Sequence, residues 1–301
     1  MSIFKIKVNK QLVYIVLISC FLEVAIAPLR GYVSLMSNAV AGFAVYFIFT
    51  IIVIKKFANT FKPVYLLLAV ILGCSIFPVP VHIFYLNSTL RTLPDYIMHI
   101  GGISVGYWFV LSRSHYLKAT IVILSIILCL FVYIKGYSMW IHKLNYGTFT
   151  GLVEHTHHTA NVAFQTNNGD TVQLSDFKGR YLLLDCWYTY CGSCYKKFPQ
   201  VQEFYDKYKD NPELAIYAVH SRVVAATRKK GQESVRTGSD ILKKEGYTFP
   251  CLSIDIDNPV LKELGVIYPV VLIFNRESNL VFRGDIENAS KYISNILEKQ
   301  P

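Results

Sequence analysis

Acidic residues are almost missing from the first half of this chain. Residues 1–150 carry two of them, Glu23 and Asp95, against twelve lysines and arginines, whereas residues 151–301 carry eighteen of each sign. Charged residues make up 17% of the sequence, below the roughly 25% of an average soluble domain. The net charge of +10 therefore belongs to the first half. Because its basic residues lie in short loops between apolar runs, they indicate membrane orientation and argue against nucleic-acid binding.

A second pair of metal ligands is also missing. The chain has one C-x-x-C, formed by Cys191 and Cys194; zinc would need a second Cys/His pair at ligand spacing, which Cys251 alone does not supply. A redox pair that closes a small disulfide is therefore favoured over half of a zinc site. If a helix begins at Cys191, its unpaired N–H groups and dipole stabilise the thiolate of that residue, which is the form that attacks disulfides.

Five apolar runs in the first half each approach the roughly 20 residues that cross a bilayer. They are 11–29, 38–54, 64–86, 96–112 and 118–135. Eight basic residues fall on one side of these runs: Lys5, Lys7, Lys10, Lys55, Lys56, Lys62, Arg113 and Lys118. By the positive-inside rule the N-terminus is cytoplasmic, and five crossings place the C-terminal half outside. This topology depends on the fourth run, which is short and interrupted by glycines. Pro28 directly follows the signal-peptide-like Ala25-Ile26-Ala27, which favours a retained first helix over a cleaved one.

Two groups of residues in or near the predicted spans each have a structural and a functional interpretation. Cys20, Cys74 and Cys129 fall near the middle of predicted spans, where they are expected to pack as small hydrophobes; the alternative is an electron relay. The second group is ionisable and comprises Glu23, His82 and His99, with Arg30, Arg91 and Asp95 nearby. Structural pairing is the favoured interpretation, and a proton or quinone site is the alternative.

Short apolar stretches alternate with helical patterns after residue 161. The predicted strands are 162–165, 171–174, 181–187, 214–219, 250–254, 270–275 and 280–283. The predicted helices are 191–209, 232–245 and 286–299. Helices between core strands require some parallel pairing, so an α/β domain is expected.

Three segments of this half resemble the thioredoxin superfamily, and more closely its membrane-anchored TlpA/ResA-like branch. Asn168-Gly169-Asp170-Thr171-Val172-Gln173-Leu174-Ser175-Asp176-Phe177-Lys178-Gly179 is similar to that branch's lead-in. Trp187-Tyr188-Thr189-Tyr190-Cys191-Gly192-Ser193-Cys194, with Phe198-Pro199 after it, stands where the family has W-A-T-W-C-G-P-C. Gly265-Val266-Ile267-Tyr268-Pro269 matches the segment with the family's cis-proline. The resemblance covers roughly 160–299, and the first half matches no family that we can name.

The resemblance implies a role for each matching residue. Cys191 is the nucleophile at an exposed helix start, and Cys194 is the resolving thiol. Asp185 corresponds to a buried acid that exchanges a proton with Cys194. Pro269 presents the backbone of Tyr268 to a bound peptide. Trp187 and Tyr190 are the other expected substrate contacts.

Other positions depart from the family or remain outside its mechanism. Ser193 and Tyr190 replace a proline and a tryptophan, and Lys197 stands where ResA-like members carry a glutamate. Cys186 and Cys251 are expected to be inert core thiols. His220 resembles a ligand of copper-chaperone relatives, but the C-x-x-x-C that those proteins need is absent.

We therefore predict a multi-pass α-helical membrane domain of about five helices (1–135), a linker (136–160) and an α/β thioredoxin-like domain (161–301). The expected function is that of an inner-membrane thiol–disulfide oxidoreductase whose extracytoplasmic domain acts on exported proteins, without cofactor, resident metal or nucleic acid. A membrane electron donor is a further candidate partner. One alternative is a copper-delivery module that uses the cysteines, His220 and the linker histidines His155, His157 and His158. Another is a transporter or structural membrane protein with a redox-sensing domain.

Overall fold

The computed structural model describes residues 9–153, 162–222 and 237–298. The chain divides into two compact units, Met1–Ile141 and His142–Pro301. The first is helical, whereas the second contains a mixed seven-stranded sheet with helices. Each unit has its own hydrophobic clusters.

In the described part of the chain, nine α-helices form the first unit. The last of them continues past the boundary at residue 141. They are α1 Lys10–Ile26, α2 Leu29–Tyr32, α3 Leu35–Phe57, α4 Pro63–Ser75, α5 Pro78–Phe84, α6 Leu86–Thr89, α7 Leu93–Leu111, α8 His115–Phe131 and α9 Tyr137–Tyr146. Short polar caps begin the long ones: the Asn9 side chain accepts the Gln11 N–H, and Ser34 accepts the Ser37 N–H. These contacts satisfy backbone donors that a helix start leaves unpaired.

Three described helical segments are long and apolar enough to span a membrane: Lys10–Tyr32, Leu35–Phe57 and His115–Tyr146. A fourth is possible if α4 and α5, which meet at a 50° bend, form one broken span. Length and composition therefore identify three or four of the five predicted spans. The missing span is the fourth predicted run, which is indeed a helix, α7, but carries Asp95, His99 and several glycines.

Glycines and small side chains allow close, parallel packing of two helix pairs. Between α3 and α7, Asn38 contacts Asp95 and Thr50 lies against Gly106. The contact positions advance together along both helices, so α3 and α7 run in the same direction. Between α1 and α4, the Ser19 hydroxyl donates to the Val70 carbonyl oxygen at 2.7 Å, and the contact of Glu23 with Cys74 lies one turn on. This pair is parallel as well.

The last helical segment extends beyond the predicted end of the fifth span. A π-helical stretch, Val132–Gly136, joins α8 to α9, so the helix continues to Tyr146. The predicted linker from residue 136 is thus helical in its first part. Apolar groups and hydrogen bonds explain this: Tyr137 and Trp140 donate to the carbonyl oxygens of Arg91 and Leu90.

The second unit is built on one sheet with strand order β2-β1-β5-β4-β3-β6-β7. The strands are β1 Ala163–Gln165, β2 Thr171–Gln173, β3 Tyr181–Trp187, β4 Leu214–Arg222, β5 Cys251–Asp255, β6 Val270–Phe274 and β7 Leu280–Gly284. The central strands β3, β4 and β5 are parallel, and the other pairs are antiparallel. All seven predicted strands are confirmed, and no end differs by more than three residues.

Five helices of this unit accompany the sheet in its described part. They are α10 Gly192–Tyr195, α11 Phe198–Tyr208, α12 Gly238–Lys244, α13 Pro259–Glu263 and α14 Ile286–Leu297. Alternate residues of β3 point to opposite faces. Leu183 and Trp187 pack with α11 and α14, whereas Leu182 and Leu184 pack in a second cluster with Phe164. The core is therefore divided into two layers by the sheet.

Candidate active site

The central strand β3 leads directly into the cysteine pair. Its residues Leu183 and Trp187 belong to the same hydrophobic cluster as Cys191 and Cys194. Asp185 lies between them in the alternation, so its side chain is on the same face of the sheet. A buried carboxyl group and two sulfur atoms are thus brought to one side of the domain.

Cys191 and Cys194 form a disulfide at the start of α10. The Cys191 sulfur caps this helix by accepting the Cys194 backbone N–H at 3.2 Å. Ser193, where the family has proline, places its hydroxyl oxygen 3.5 Å from the same sulfur. Both groups can donate to a Cys191 thiolate, and charge-assisted hydrogen bonds of this kind favour the ionised form. The serine contact is a functional feature that the motif alone did not reveal.

Cys191 is less accessible than expected from its position at a helix start. In the disulfide form it is 4% exposed and Cys194 is 1% exposed. Packing among the aromatic residues of the cluster covers most of both residues. The expectation of an exposed Cys191 is therefore corrected, although Cys191 remains the outer of the two.

Asp185 is a buried acid. It is 4% exposed, and burial raises its pKa to about 7. It borders a cavity of about 20 Å³ with Lys197, Pro269 and Asp285 among the lining residues. This volume is enough for one water molecule, which needs roughly 10–15 Å³. A carboxyl group with a pKa of about 7 is suited to exchange a proton near neutral pH.

The segment before β6 brings a proline to the same cavity. The peptide bond between Tyr268 and Pro269 is cis. The Tyr268 ring packs edge-on against Tyr188 with centroids 5.0 Å apart, and its hydroxyl donates to the Ser221 hydroxyl at 2.6 Å. This places Tyr268 beside the chain that leads from β3 to Cys191.

Trp187 is fully buried, with 0% exposure, so it does not offer a surface to a substrate. The prediction of a substrate contact is corrected to a supporting position beneath the cysteine loop. Its ring packs on His220 at 4.4 Å and edge-on to Phe198 at 5.2 Å. Residues of β4 and α11 thereby determine the path of the chain from Trp187 to Cys191.

His220 holds the cysteine loop from the neighbouring strand. Its Nε2 lies 2.9 Å from the Thr189 hydroxyl, and the Tyr195 hydroxyl donates to the Thr189 carbonyl oxygen at 3.2 Å. Burial lowers the pKa of His220 to about 4, so the ring is neutral near pH 7. The sequence offered His220 only as a candidate ligand in the copper alternative. Its contact with Thr189 depends on strand register, which has no local signal in the sequence.

Lys197 occupies the position where ResA-like members carry a glutamate, and it pairs with an acidic residue from another element. Its ammonium group forms an ion pair with Glu287 in the first turn of α14. Both side chains are partly exposed, so the pair adds little to stability. The acidic group of this region therefore comes from a helix about ninety residues further along the chain, with no local sequence signal.

Two large apolar side chains near this loop are exposed. Tyr190 is 80% exposed and Ile267 is 59% exposed. Each directly precedes a predicted site residue, Cys191 and Tyr268 respectively. They provide apolar surface on the two segments that meet at the contact of Tyr188 with Tyr268.

The remaining cysteines of this unit are buried and unpaired. Cys186 and Cys251 are free thiols in the two hydrophobic clusters. Burial raises the pKa of both, that of Cys251 to about 12, so neither is ionised near neutral pH. The interpretation as inert core thiols agrees with this environment.

The copper alternative has limited support in the residues that the structure covers. His155, His157 and His158 lie outside the described residues. Within the described ranges, His220 is in no group of three ligand atoms close enough to hold a metal ion. The described part of the second unit therefore contains no such group.

In the first unit the predicted ionisable set is only partly brought together. The His99 Nδ1 lies 2.8 Å from Glu23 Oε2, and Arg30 bridges Glu23 and Asp95. His82 instead bonds the Pro78 carbonyl oxygen in its own helix. Cys74 joins the Glu23 group, whereas Cys20 and Cys129 are free thiols. None of these three cysteines is in a disulfide, so the structure shows no bonded cysteine pair for the electron-relay alternative.

Comparison with known proteins matches the second unit. Residues 156–283 match the AhpC/TSA family. The thiol–disulfide oxidoreductase ResA of Bacillus thuringiensis is 26% identical over 132 residues, covering 44% of this chain and 69% of that protein. ResA of Bacillus subtilis is 29% identical over 122 residues, covering 40% of this chain and 62% of that protein.

Solved structures of similar domains cover the same share of the chain. The thioredoxin domain of a thiol–disulfide oxidoreductase from Bacteroides vulgatus is 21% identical, with a TM-score of 0.37, and covers 49% of this chain and 96% of that chain. StoA from Bacillus subtilis is 21% identical, with a TM-score of 0.34; the match covers 47% of this chain and 98% of the StoA chain.

The family match and the curated relatives agree with the architecture of the sheet. The α/β domain in the second half is thioredoxin-like, as predicted, and is of the type found in thiol–disulfide oxidoreductases.

Proposed function

We propose that this chain, whose C-terminal half is a ResA/TlpA-like thioredoxin domain, is a membrane-anchored thiol–disulfide oxidoreductase acting on extracytoplasmic proteins. The observation that carries the proposal is the Cys191–Cys194 disulfide at a helix start, with the Cys194 N–H directed at the Cys191 sulfur. Asp185 with its raised pKa supplies the nearby acid or base.

In the reducing direction the reaction begins with both cysteines reduced. The Cys191 thiolate attacks one sulfur of a substrate disulfide; a new S–S bond forms, and the other substrate sulfur leaves as a thiolate. Cys194 then gives up its proton, with Asp185 as the acceptor, and attacks the Cys191 sulfur. This forms the Cys191–Cys194 disulfide and releases the second substrate thiolate. Two electrons have passed to the substrate, and the opposite direction uses the same steps in reverse.

The exposed apolar residues beside the disulfide suit a polypeptide substrate. Tyr190 and Ile267 offer apolar surface, and the Tyr268–Pro269 segment offers backbone groups for an extended peptide to pair with. Substrates are therefore expected to be proteins or peptides with an accessible disulfide. Small disulfides gain nothing from this surface.

Helix packing supports five crossings although α7 is less apolar than the other spans. In a chain that crosses a bilayer back and forth, every second crossing runs in the same direction. The parallel pairs α1 with α4 and α3 with α7 fit the order first with third and second with fourth. Because α7 packs along α3, which is long and apolar enough to span, it would cross at the same depth.

Loop charges then support an extracytoplasmic domain. Lys55 and Lys56 lie in the last turn of α3, and Lys62 directly precedes α4. Arg113 lies between α7 and α8, and Lys118 lies near the start of α8. On the opposite side Arg30 is paired with Asp95. The more basic loops favour the cytoplasm, so the segment after α8 emerges on the other face.

Trapping of a mixed disulfide tests the chemistry. Cys194→Ser should accumulate substrate bound to Cys191, visible as a reductant-sensitive band on non-reducing gels, because the resolving thiol is missing. Cys191→Ser serves as the matched control and should trap none. The same band from Cys191→Ser, or none from either variant, would contradict the assigned roles.

Labelling in intact cells tests the side of the membrane. Asp210 is exposed in the second unit, so an Asp210→Cys variant offers a reachable thiol. A membrane-impermeant maleimide should label it without cell lysis if the domain is extracytoplasmic. Labelling only after lysis would place the domain in the cytoplasm, while leaving the trapping result unaffected.

A further inference from the structure

The membrane unit contains a buried cluster to which four helices each contribute one side chain. These are Glu23 from α1, Tyr46 from α3, Cys74 from α4 and His99 from α7. Glu23 is 5% exposed, and the other three are completely buried. Bundle cores use this arrangement, with inward side chains on facing helices, to hold metal ions.

Three donors converge on a single oxygen of this cluster. His99 Nδ1, the Tyr46 hydroxyl oxygen and Cys74 Sγ lie 2.8, 3.3 and 3.8 Å from Glu23 Oε2. The ligand atoms of Glu23, Cys74 and His99 all lie within 4.8 Å of one another. We propose that these three residues bind a divalent, zinc-type metal ion inside the membrane unit, with the Tyr46 hydroxyl or a water molecule in the fourth position.

The ligand separations fit this coordination after small side-chain movements. Bond lengths of about 2.0–2.3 Å in a tetrahedron place neighbouring ligand atoms roughly 3.3–3.6 Å apart. The sulfur-to-oxygen separation is 3.8 Å and the nitrogen-to-oxygen separation is 2.8 Å. These two separations need a change of only a few tenths of an ångström, and the Cys74 sulfur and the imidazole nitrogen lie within 4.8 Å of each other. A mixed sulfur, nitrogen and oxygen set suits zinc better than a hard ion such as magnesium or calcium.

Surrounding residues orient two of the ligands. Arg30 Nη2 lies 3.7 Å from Glu23 Oε1, which leaves Oε2 directed at the other ligands. On the far side of the imidazole, His99 Nε2 lies 3.5 Å from the Asn38 carbonyl oxygen. With a metal on Nδ1, the ring carries its proton on Nε2 and donates to that carbonyl, as metal-bound histidines usually do. A β-carbon at Gly42 would lie 1.9 Å from Nε2, so α3 has a notch for this ring.

Charge balance favours a divalent ion. The Glu23 and Asp95 carboxylates and the Arg30 guanidinium sum to −1 with a neutral His99. Binding of a divalent cation releases the Cys74 thiol proton to solvent, and the resulting thiolate brings the sum to zero. With the Cys74 thiolate as a ligand, a monovalent ion would leave −1, and uncompensated charge inside a membrane is costly. The rival neutral state is an imidazolium at His99 paired with Glu23, which would bind no metal.

The proposal is tested on the full-length chain in detergent with Cys191–Cys194 oxidised, so that this pair offers no thiolates. After treatment with a chelator, the protein is titrated with Zn²⁺ against a chromophoric competitor, and with Co²⁺ to follow the thiolate-to-cobalt absorption. Wild type should bind one equivalent. Cys74→Ser and His99→Gln should weaken binding at least tenfold and remove the thiolate band. Cys129→Ser, a membrane cysteine outside the cluster, should bind like wild type.

A measurement on the wild-type chain tests the proposal even if the variants fail to fold. X-ray absorption of the zinc-loaded chain should show one sulfur at about 2.3 Å, with nitrogen and oxygen at about 2.0–2.2 Å. Two or more sulfurs, or none, would overturn the assignment. So would the absence of stoichiometric zinc from wild type, or equal affinity in wild type and folded Cys74→Ser.

Discussion

Replacement of Asp185 by asparagine should change the pH dependence of stability in a defined direction. Burial raises the pKa of this carboxyl group from 3.8 to about 7. Between these values the folded chain keeps a proton that the unfolded chain has lost, so wild-type stability falls as pH rises. Each pH unit in this window costs about 1.4 kcal/mol, which sums to about 4 kcal/mol above pH 7. Asp185→Asn removes this cost.

His220 acts in the opposite direction over an overlapping window. Burial lowers its pKa from 6.5 to about 4, so between these values the unfolded chain binds the extra proton. Stability therefore rises with pH across this range, and the two slopes nearly cancel in the wild type between about pH 4 and 6.5. In Asp185→Asn the histidine slope is no longer opposed by that of Asp185, so the stability of this variant should rise visibly with pH.

Urea unfolding of a fragment spanning His142–Pro301 measures both effects. Trp187 is the only tryptophan of this fragment, so its fluorescence reports on the core beneath the cysteines. The difference in unfolding free energy, Asp185→Asn minus wild type, cancels the other titrating groups and should increase by about 4 kcal/mol from pH 4 to pH 7.5. A difference that is constant with pH would refute the argument that Asp185 is protonated in the folded domain.

Three further changes have expected outcomes. Ser193→Ala removes a donor to the Cys191 thiolate, so the reduction potential should become more negative by about 15–30 mV in glutathione titrations; a positive shift would contradict the hydrogen bond's role. Gly42→Ala places a methyl group against a buried imidazole and should lower thermal stability in detergent by about 1–3 kcal/mol. The control Gly31→Ala meets nothing within 4 Å and should not destabilise. Tyr190→Ala should raise KM for a peptide disulfide but not for a small disulfide, with stability changed by less than about 0.5 kcal/mol; equal effects on both substrates would exclude a peptide contact.

The second half of the fold was predictable because its signals are local. Buried parallel strands appear as short apolar runs, and helices between them as longer amphipathic ones. The seven strands and the helix Ile286–Leu297 were therefore found to within a few residues. The linker prediction was less successful, since helix continuation to Tyr146 depends on hydrogen bonds from Tyr137 and Trp140 to a distant segment.

The helical first half was predictable in kind but not in detail. Length and apolar composition identify helices that can span, yet α7 falls short by composition although it packs along α3. Its polar residues are satisfied by partners on other helices, such as Asn38 for Asp95 and Glu23 for His99. Hydropathy treats each residue alone and cannot register such pairing.

The sequence by itself determined that a C-x-x-C follows a buried strand in an α/β half and that several apolar helices precede it, because composition and periodicity are local properties. Only the tertiary structure decided which distant groups meet. Strand register brings His220 to Thr189, α14 brings Glu287 to Lys197, and the packing of α4 and α7 against α1 brings Cys74 and His99 to Glu23. These contacts join residues between 31 and 90 positions apart, and no local pattern encodes a contact whose partners are positioned by the packing of whole elements.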